Sequence, residues 1–545
     1  MRLVERRIGL LFALFLALLA IATLRAVWIG TVRAGSLGDR AVEQQIEEME
    51  VTARRGTIID RRGIELAVSE DAVTVFAHPF LIDNPGKVAA RLAPLLGTSD
   101  VELIKKLADR DSAFVYLRRR MDASRGHQIE EMHIEGIDTV VEAKRTYPQG
   151  HLASQVLGMV GTENTGLSGL EYHRDERLRG DDGHRKVIKD ALGEPVSLVE
   201  TDRSSPGEDL RLTLDSAIQE RVEAVMSEVG QAYMPAGATA VVMDPRTGAI
   251  LALANWPRVD ANDVAGAPGY ARQNRAIQFN YEPGSTFKAF TVAGALEDGV
   301  IRPSTQFSVP PTIKVADRTI GEAHDLGGGT LTTEQILARS SNVGTVMIGL
   351  KLGVERFDHW VRRFGFSKPT GVDLPGEDRG IVLDVDDYSG SSIGNMPIGQ
   401  GLSVTPIQMA SAFSAIANGG LKRQPYIVAG ARKPPKRVLS RRTALQVSGM
   451  LEGVLSAGGT AQEAAVEGYT LAGKTGTAEK AENGTYSKTD FVASFIGFAP
   501  AKNPRLLVSV MVDEPRGDIY GGTVAAPAFE RIMEFALPYL KIPPR

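Results

Sequence analysis

A serine and a lysine lie three residues apart in the stretch YEPGSTFKAF, which runs from Tyr281 to Phe290. If residues 285 to 299 are helical, positions i and i+3 share one face about 5–6 Å apart, so Lys288 can approach the Ser285 hydroxyl. That is the arrangement of a serine nucleophile with its own base. The alternative is an ordinary helix start, with Ser285 as the cap and Lys288 solvated. The pair alone does not decide, because roughly one or two Ser-x-x-Lys matches are expected by chance.

Two further short motifs follow in the chain. ARSSNVGTV contains Ser340-Ser341-Asn342, and LAGKTGTAEK contains Lys474-Thr475-Gly476-Thr477. Taken singly, the first is most often a polar helix stretch and the second a turn. In this order, however, Ser-x-x-Lys, Ser-x-Asn and Lys-Thr-Gly form the signature of penicillin-binding proteins and serine β-lactamases.

The chemistry explains why these residue types occur together. A serine hydroxyl is a weak nucleophile and needs a base within hydrogen-bond reach. A lysine, with an ordinary pKa near 10.4, becomes that base only when burial or neighbouring cations favour its neutral form. We therefore predict Ser285 as nucleophile and Lys288 as base, with Lys474 biasing the balance electrostatically and Ser340 relaying a proton toward the leaving amine.

The remaining motif residues are predicted to bind substrate. Asn342 would hold the substrate's amide, and the segment KTGT would be an edge strand that pairs with an extended peptide. The hydroxyls of Thr475 and Thr477 would bind a terminal carboxylate, and Gly476 would leave room for the substrate backbone. The backbone N–H groups of Ser285 and Thr477 would form an oxyanion hole.

Longer stretches carry a family resemblance over nearly the whole chain. They resemble class B penicillin-binding proteins, especially the FtsI-like septal type, in RGTIIDRRG, GLSGLEYHRDERLRG, NRAIQFNYEPGSTFK, IGQGLSVTPIQMASAFSAIANGG and YGGTVAAPAFERIM. The resemblance implies a peptidoglycan D,D-transpeptidase without a cofactor. Ser285 would attack the penultimate carbonyl of a D-alanyl-D-alanine stem peptide, release the last D-Ala and pass the acyl group to an amine on a neighbouring stem.

The same resemblance implies ligands and partners. It predicts that β-lactam antibiotics acylate the protein, and that a SEDS-type membrane glycosyltransferase and other divisome proteins bind it. In this family a single membrane anchor leads to an elongated pedestal and then to the transpeptidase domain.

The N-terminus itself predicts such an anchor. Three arginines precede an uncharged apolar run from Ile8 to Leu24, and the apolar character resumes after Arg25 through Ile29. This span can cross a bilayer of about 30 Å, and the basic flank places the N-terminus in the cytoplasm. The alternative is a signal peptide cleaved after Ala20-Ile21-Ala22. Both interpretations place the rest of the chain outside the cytoplasmic membrane.

The patterning behind the anchor predicts two further parts. Residues 41–52 are compatible with a helix, residues 86–135 have apolar positions at helical spacing, and Gly-bounded segments follow. Near residue 208 the composition changes to LRLTL as a strand, DSAIQERVEAVMSEV as a helix capped by Asp215, and ATAVVMDPRTGAILALAN as two antiparallel strands. After a long helical region, FVASFIGFAP and RLLVSVMVDE are predicted strands, and AFERIMEFALPYL a helix.

Strands at both ends with helices between them predict a sheet assembled from distant parts of the chain. The predicted fold is α+β: an N-terminal transmembrane helix (1–35), an elongated α+β pedestal of the dimerisation type (36–208), and a transpeptidase domain like that of serine β-lactamases (209–545), with an antiparallel sheet flanked by helices.

Charge and composition narrow the function classes. The chain has 62 Lys+Arg against 66 Asp+Glu, a net charge of −4, and therefore no broad basic field for nucleic acid. It has no cysteine, which excludes disulfides and thiolate metal sites. Its 8 histidines show no paired spacing typical of a metal site, so none is predicted.

Several alternatives share the motifs. A β-lactamase has no use for a pedestal or a stable anchor, and a bifunctional synthase would carry acidic glycosyltransferase motifs that the region before the transpeptidase lacks. A β-lactam receptor usually has several membrane spans, whereas this chain has one candidate. A scaffold role in the divisome could coexist with catalysis. The elongation-type class B transpeptidase shares these motifs and stays open beside the septal type.

Overall fold

A computed structural model describes residues 2–32, 46–110, 112, 114–189, 195–323, 328–456, 458–482 and 485–544. The helices of these residues are, in chain order, α1 (Arg2–Thr31), α2 (Pro85–Leu96), α3 (Asp100–Leu107), α4 (Ala123–Glu130), α5 (Ser154–Leu157), α6 (Gly169–His173), α7 (Asp175–Arg179), α8 (Ser216–Tyr233), α9 (Arg275–Gln278), α10 (Lys288–Glu297), α11 (Thr333–Ala338), α12 (Asn342–Leu352), α13 (Val354–Phe364), α14 (Ser392–Asn395), α15 (Pro406–Ala417), α16 (Arg441–Glu452), α17 (Gly521–Val524) and α18 (Ala526–Tyr539).

The strands are, in the same order, β1 (Ile46–Val51), β2 (Ile58–Ile59), β3 (Glu65–Ala77), β4 (Val115–Asp122), β5 (Ile137–Thr146), β6 (Gly183–Lys189), β7 (Pro195–Asp202), β8 (Leu210–Arg211), β9 (Gly237–Met243), β10 (Ile250–Trp256), β11 (Gln306–Val309), β12 (Thr312–Val315), β13 (Arg318–Gly321), β14 (Gly329–Thr332), β15 (Leu421–Lys422), β16 (Lys436–Arg437), β17 (Ala472–Glu482), β18 (Thr485–Ala499) and β19 (Leu506–Asp513).

The chain divides into two compact units, each built from separate stretches. The first comprises Met1–Arg54, Asp71–Ala143 and Gly180–Gly207, and the second comprises Arg55–Glu70, Lys144–Arg179 and Glu208–Arg545. The second unit therefore contains two short stretches that lie before residue 208 in the sequence. The mixed α+β fold predicted from the sequence is confirmed.

The second unit is built around a five-stranded antiparallel sheet in the order β10-β9-β19-β18-β17. Every residue of β9 and β19 is buried, which explains why both segments are almost continuously apolar. The sheet joins strands more than 200 residues apart in the chain, as their positions near 240 and 510 show. The prediction of a sheet assembled from distant segments is confirmed, and β17 lies at its edge.

A buried ion-pair cluster connects two of the stretches that carry the resemblance. Arg55 of RGTIIDRRG and Glu171 of GLSGLEYHRDERLRG are fully buried side chains 2.8 Å apart. The same carboxylate accepts a hydrogen bond from Arg145 at 2.6 Å. The attraction between this carboxylate and the two guanidinium groups offsets part of the desolvation cost of burying the three charges. This cluster holds Arg55–Glu70 and Lys144–Arg179 within the second unit.

The first unit corrects two expectations. Residues 46–51 form strand β1, which pairs antiparallel with β6, rather than continuing a helix; residues 41–45 lie outside the described residues. The region 86–135 contains the predicted helices α2 and α3, but β4 interrupts it and pairs with β3. In both places strand pairing with a distant segment overrides a helix-compatible local pattern.

Candidate active site

Ser285 lies in a 3-10 turn, Gly284–Phe287, that continues directly into α10. Gly284 has a left-handed φ of +53°, which residues with a side chain rarely adopt. A Cβ at this position would lie 3.0 Å from the Thr477 carbonyl oxygen. The Pro-Gly break therefore brings the serine against β17, and the predicted helical segment beginning at 285 is confirmed.

The Lys288 amine is fully buried and points to the second motif. Its Nζ donates hydrogen bonds to the Ser340 carbonyl oxygen (2.6 Å), the Ser340 hydroxyl (3.3 Å) and the Asn342 Oδ1 (2.6 Å). Burial lowers the pKa of Lys288 to about 7, although the charge of Glu322 opposes this shift. At neutral pH a large fraction of this amine is therefore unprotonated, as a general base requires.

The Ser285 hydroxyl is not among the hydrogen-bond partners of Lys288 within the described part of the chain. Three acceptors from the Ser-Ser-Asn turn already occupy the three donors of a charged amine. A neutral amine has one donor fewer and a free lone pair, so deprotonation frees Lys288 to accept the serine proton. Catalytic contacts in unliganded enzymes commonly form only when substrate binds.

The Ser-Ser-Asn turn begins helix α12. Ser341 is the N-cap, and its hydroxyl accepts a hydrogen bond from the Gly344 amide at 2.9 Å. Ser340, just before it, has a left-handed φ of +60°. The Asn342 Nδ2 donates to the Gly321 carbonyl oxygen at 3.0 Å, so its Oδ1 faces Lys288. The motif therefore needs this turn to present both polar groups to the amine.

Lys474 on β17 is also fully buried. Its Nζ lies 3.2 Å from both the carbonyl oxygen and the hydroxyl of Thr475. The Thr475 hydroxyl in turn lies 2.9 Å from that of Thr460. Burial, and then the charge of Lys288, hold the pKa of Lys474 well below its usual value. The charge of Lys288 therefore disfavours the charged form of Lys474.

Gly476 lies on β17, at the point where this strand packs closely against the turn that carries Ser285. A Cβ there would lie 2.4 Å from the Ser494 hydroxyl, 2.8 Å from the Pro283 carbonyl oxygen and 3.0 Å from the Thr286 methyl group. The absence of a side chain thus lets β17 pack against the turn that carries Ser285. That Gly476 also leaves room for the substrate backbone stays a prediction.

These residues surround one groove of about 700 Å³. Its lining includes Ser285, Ser340, Asn342, Thr475 and Thr477. The two lysines lie behind this lining, and β17, the last strand of the sheet, offers an edge to which an extended peptide can hydrogen-bond. The structure thus brings all three motifs together at one surface.

Three residues of this region belong to no motif identified in the sequence. Glu322 accepts hydrogen bonds from the Ser-Ser-Asn turn. The Thr460 hydroxyl forms a hydrogen bond with the hydroxyl of Thr475 on β17. Glu282 accepts hydrogen bonds from the Gly401 amide (2.9 Å) and the Tyr486 hydroxyl (3.2 Å), and burial raises its pKa to about 7. Glu322 and Thr460 line the groove, and no local pattern marks them; Glu282 lies just before the serine turn and outside this lining.

One group of side chains elsewhere in the described residues could hold a metal ion: His151, Glu220 and Glu223. The Arg258 guanidinium lies 2.9 Å from both carboxylates. One positive charge is therefore already shared between these two carboxylates.

Comparison with known families matches two domains in the chain. Residues 50–212 match the penicillin-binding protein dimerisation domain, and residues 238–534 match the penicillin-binding protein transpeptidase domain. The second match includes all three motifs.

Similar proteins cover nearly the full length. Stage V sporulation protein D of Bacillus subtilis (strain 168) is 35% identical over 558 residues, 98% of this chain and 86% of that protein. Peptidoglycan D,D-transpeptidase FtsI of Buchnera aphidicola subsp. Schizaphis graminum is 30% identical over 539 residues, 96% of this chain and 94% of that one. The crystal structure of penicillin-binding protein 3 from Mycobacterium tuberculosis in complex with aztreonam has a TM-score of 0.71 and 30% identity, covering 91% of this chain and 98% of that chain.

Proposed function

The chain belongs to the class B penicillin-binding proteins, and from that premise we propose that it cross-links peptidoglycan at the division septum through an acyl-enzyme on Ser285. It is a peptidoglycan D,D-transpeptidase of the penicillin-sensitive serine type, and it binds peptidoglycan and β-lactams. The septal role and the task of each site residue are our proposals.

One observation carries the assignment of the site residues. The buried Lys288 amine has a pKa of about 7, and it lies among the polar groups of the second motif, directly behind the groove that Ser285 lines. A buried cation without a carboxylate in hydrogen-bond contact costs folding free energy. Such a group is expected where a neutral amine is needed for chemistry.

The proposed reaction starts with proton transfer from the Ser285 hydroxyl to Lys288. The serine oxygen attacks the penultimate D-Ala carbonyl carbon, and the backbone N–H groups of Ser285 and Thr477 stabilise the oxyanion. The bond to the last D-Ala breaks as its nitrogen takes a proton through Ser340. The amine of a neighbouring stem then attacks the ester carbonyl carbon and loses a proton to Lys288, and Lys288 returns that proton to the Ser285 oxygen as the ester bond breaks.

Substrate binding is assigned to β17 and Asn342. An extended stem peptide pairs with the exposed edge of β17, and Asn342 holds its amide. The hydroxyls of Thr475 and Thr477 bind the terminal carboxylate, whose negative charge raises the pKa of Lys474 and favours its protonation. Gly476 keeps this strand against the serine turn.

The three-part division predicted from the sequence gives each part a role. Residues 1–35 anchor the protein once in the cytoplasmic membrane, residues 36–208 form the pedestal and residues 209–545 carry out transpeptidation outside the cytoplasm. The proposed partners are a SEDS-type membrane glycosyltransferase and other divisome proteins. The support is the candidate membrane-spanning helix and the order of the two matched domains.

The nucleophile is tested by covalent labelling. Incubation with benzylpenicillin should add one penicilloyl group to the intact protein, and tryptic mapping should place it on the peptide that contains Ser285. A Ser285→Ala variant is the control and should remain unlabelled. A label on Ser340, or no label on the folded wild-type protein, contradicts the assignment.

The septal role is tested by depletion in the native host. Loss of a septal transpeptidase should give long cells without septa, because elongation continues while division stops. Depletion that gives rounded cells instead would assign the protein to elongation. Normal division with a catalytically inactive Ser285→Ala protein would favour a scaffold or receptor.

A further inference from the structure

A carboxylate outside the three motifs lies directly against the Ser-Ser-Asn turn. The Glu322 Oε1 accepts hydrogen bonds from the Ser341 hydroxyl (2.5 Å) and the Val343 amide (3.3 Å). Its Oε2 accepts one from the Asn342 amide at 2.6 Å. Both oxygens therefore accept hydrogen bonds from the turn.

The Glu322 carboxylate lies at the N-terminal end of a helix, where a negative charge is favoured. Asn342 and Val343 are the first two residues of α12, an 11-residue helix. The amides of a first helical turn lack partners within the helix, and its dipole favours a negative charge there. Glu322 therefore supplies the acceptors that this helix start needs.

Glu322 and its neighbour also orient the motif side chains. The Gly321 carbonyl oxygen accepts a hydrogen bond from the Asn342 Nδ2, which turns the Asn342 Oδ1 toward the Lys288 amine at 2.6 Å. Ser340 has a left-handed φ of +60°, a conformation that persists only where the surroundings impose it. The hydrogen bonds to Glu322 begin at the next residue, so they help to impose that conformation.

The charge of Glu322 reaches Lys288 as well. It favours the protonated amine, whereas burial favours the neutral one. The other titratable group near this amine is Lys474 on β17, whose pKa burial and the charge of Lys288 hold well below its usual value. Further charged residues line the same groove: Arg318 on β13, Arg339 after α11, Glu463, and Glu479 on β17.

We propose that Glu322 is a positioning residue for acyl transfer, whose carboxylate fixes the turn that presents Ser340 and Asn342 to Lys288 and whose charge adjusts the proton balance of that lysine. The inference rests on the roles proposed above for Ser285 and Lys288. It adds a residue that acts on the reaction without touching substrate.

The test is the pH profile of acylation by a fluorescent penicillin. In the wild-type protein the second-order rate should rise through a pH of about 7, because only neutral Lys288 accepts the serine proton. In Glu322→Gln the lost negative charge lowers the pKa of Lys288, so the rise should move to lower pH by on the order of one unit. The plateau should fall roughly tenfold, since the new NH2 group cannot accept from the Asn342 amide.

Two variants separate charge from shape. Glu322→Asp keeps the charge but shortens the side chain, so it should lower the plateau and retain the wild-type midpoint. Glu355→Gln removes an exposed carboxylate at the start of α13, outside the groove, and it should retain both values. Glu282→Gln is measured as well, because Glu282 also titrates near a pH of about 7; the rise should persist in it.

The outcomes are distinct. An unchanged midpoint in folded Glu322→Gln overturns the proposal, whatever its plateau. If that variant does not fold, a wild-type plateau in Glu322→Asp overturns it. A wild-type protein that is not acylated on Ser285 at any pH would instead contradict the proposed function.

Discussion

The two buried lysines differ in what their amines contact. Lys288 has three acceptors from the Ser-Ser-Asn turn, two of them at 2.6 Å. Among the residues that the structure describes, the Lys474 amine hydrogen-bonds the adjacent Thr475 alone, at 3.2 Å. A pKa of about 7 at Lys288 suits a base that must lose and regain a proton. Lys474 lies beside the paired hydroxyls of Thr460 and Thr475, where the carboxylate of a bound substrate would favour its protonated form.

This difference predicts unequal effects of the same substitution. Lys288→Arg keeps a positive charge but cannot supply a neutral amine, so it should nearly abolish acylation by penicillin. Loss of a general base costs about 10²–10⁴ in rate. Lys474→Arg should retain a measurable fraction, because a positive charge near the substrate carboxylate is preserved.

Second-order acylation rates of both variants check this prediction, with folding verified by circular dichroism. Each variant is the matched control for the other, since both exchange a fully buried lysine for arginine. Equal residual rates, or a more active Lys288→Arg, would contradict the division of tasks and leave the family assignment intact.

At the scale of elements, the reactive geometry depends on how closely β17 packs against the serine turn. Gly476 permits this approach, and Gly284 provides the left-handed backbone on the opposite side of the contact. The strand is also the free edge of the central sheet. One element therefore both fixes the nucleophile and offers hydrogen bonds to the substrate.

A methyl group at Gly476 should disturb both tasks. Gly476→Ala introduces contacts below 3.0 Å with Ser494 and Pro283, and such overpacking costs about 1–3 kcal/mol of unfolding free energy. A displacement of β17 should also lower the acylation rate roughly tenfold to a hundredfold. Thermal unfolding and acylation kinetics measure the two effects.

Gly449 provides the matched control for this substitution. It is exposed within α16, and a Cβ there would meet nothing within 4 Å. Gly449→Ala should therefore stabilise the protein by about 0.5–1 kcal/mol and leave acylation unchanged. Wild-type stability in Gly476→Ala would show that the contact is looser than the geometry indicates.

At the scale of the whole molecule, α1 is long and apolar enough to cross a membrane. Its candidate span, Arg6–Thr31, has 26 residues, none of them buried within the protein. At 1.5 Å per residue this 26-residue span is about 39 Å long, more than the roughly 30 Å of the hydrocarbon core. The apolar run also continues past the alternative cleavage site at Ala20-Ile21-Ala22.

We expect the mature protein to retain this helix. The protein should stay in the membrane fraction after a salt wash, because leaving the bilayer would expose its apolar span to water. Its N-terminus should be intact. Leu16→Arg, which places a charge in the middle of the span, costs about 2.5–3.5 kcal/mol of insertion and should reduce membrane association. N-terminal sequencing that begins at Thr23 would show a cleaved signal instead.

The sequence by itself determined the reaction class and the central sheet. Residues that contact a reacting bond must be of particular chemical types, so Ser285, Lys288 and the KTGT segment form recognisable short patterns. The buried strands β9 and β19 must be apolar along their whole length, and they too can be found locally. The helix start at Asp215, which caps α8, follows from the same local rules.

Only the tertiary structure decided which groups surround those residues. Glu322 acts through backbone amides that any residue could supply, and Thr460 through a single hydroxyl, so neither needs a fixed spacing from the motifs. Strand β1 and the buried pair of Arg55 and Glu171 likewise depend on partners more than 100 residues away. Such contacts are selected by packing across the folded chain, and a pattern of neighbouring residues does not encode them.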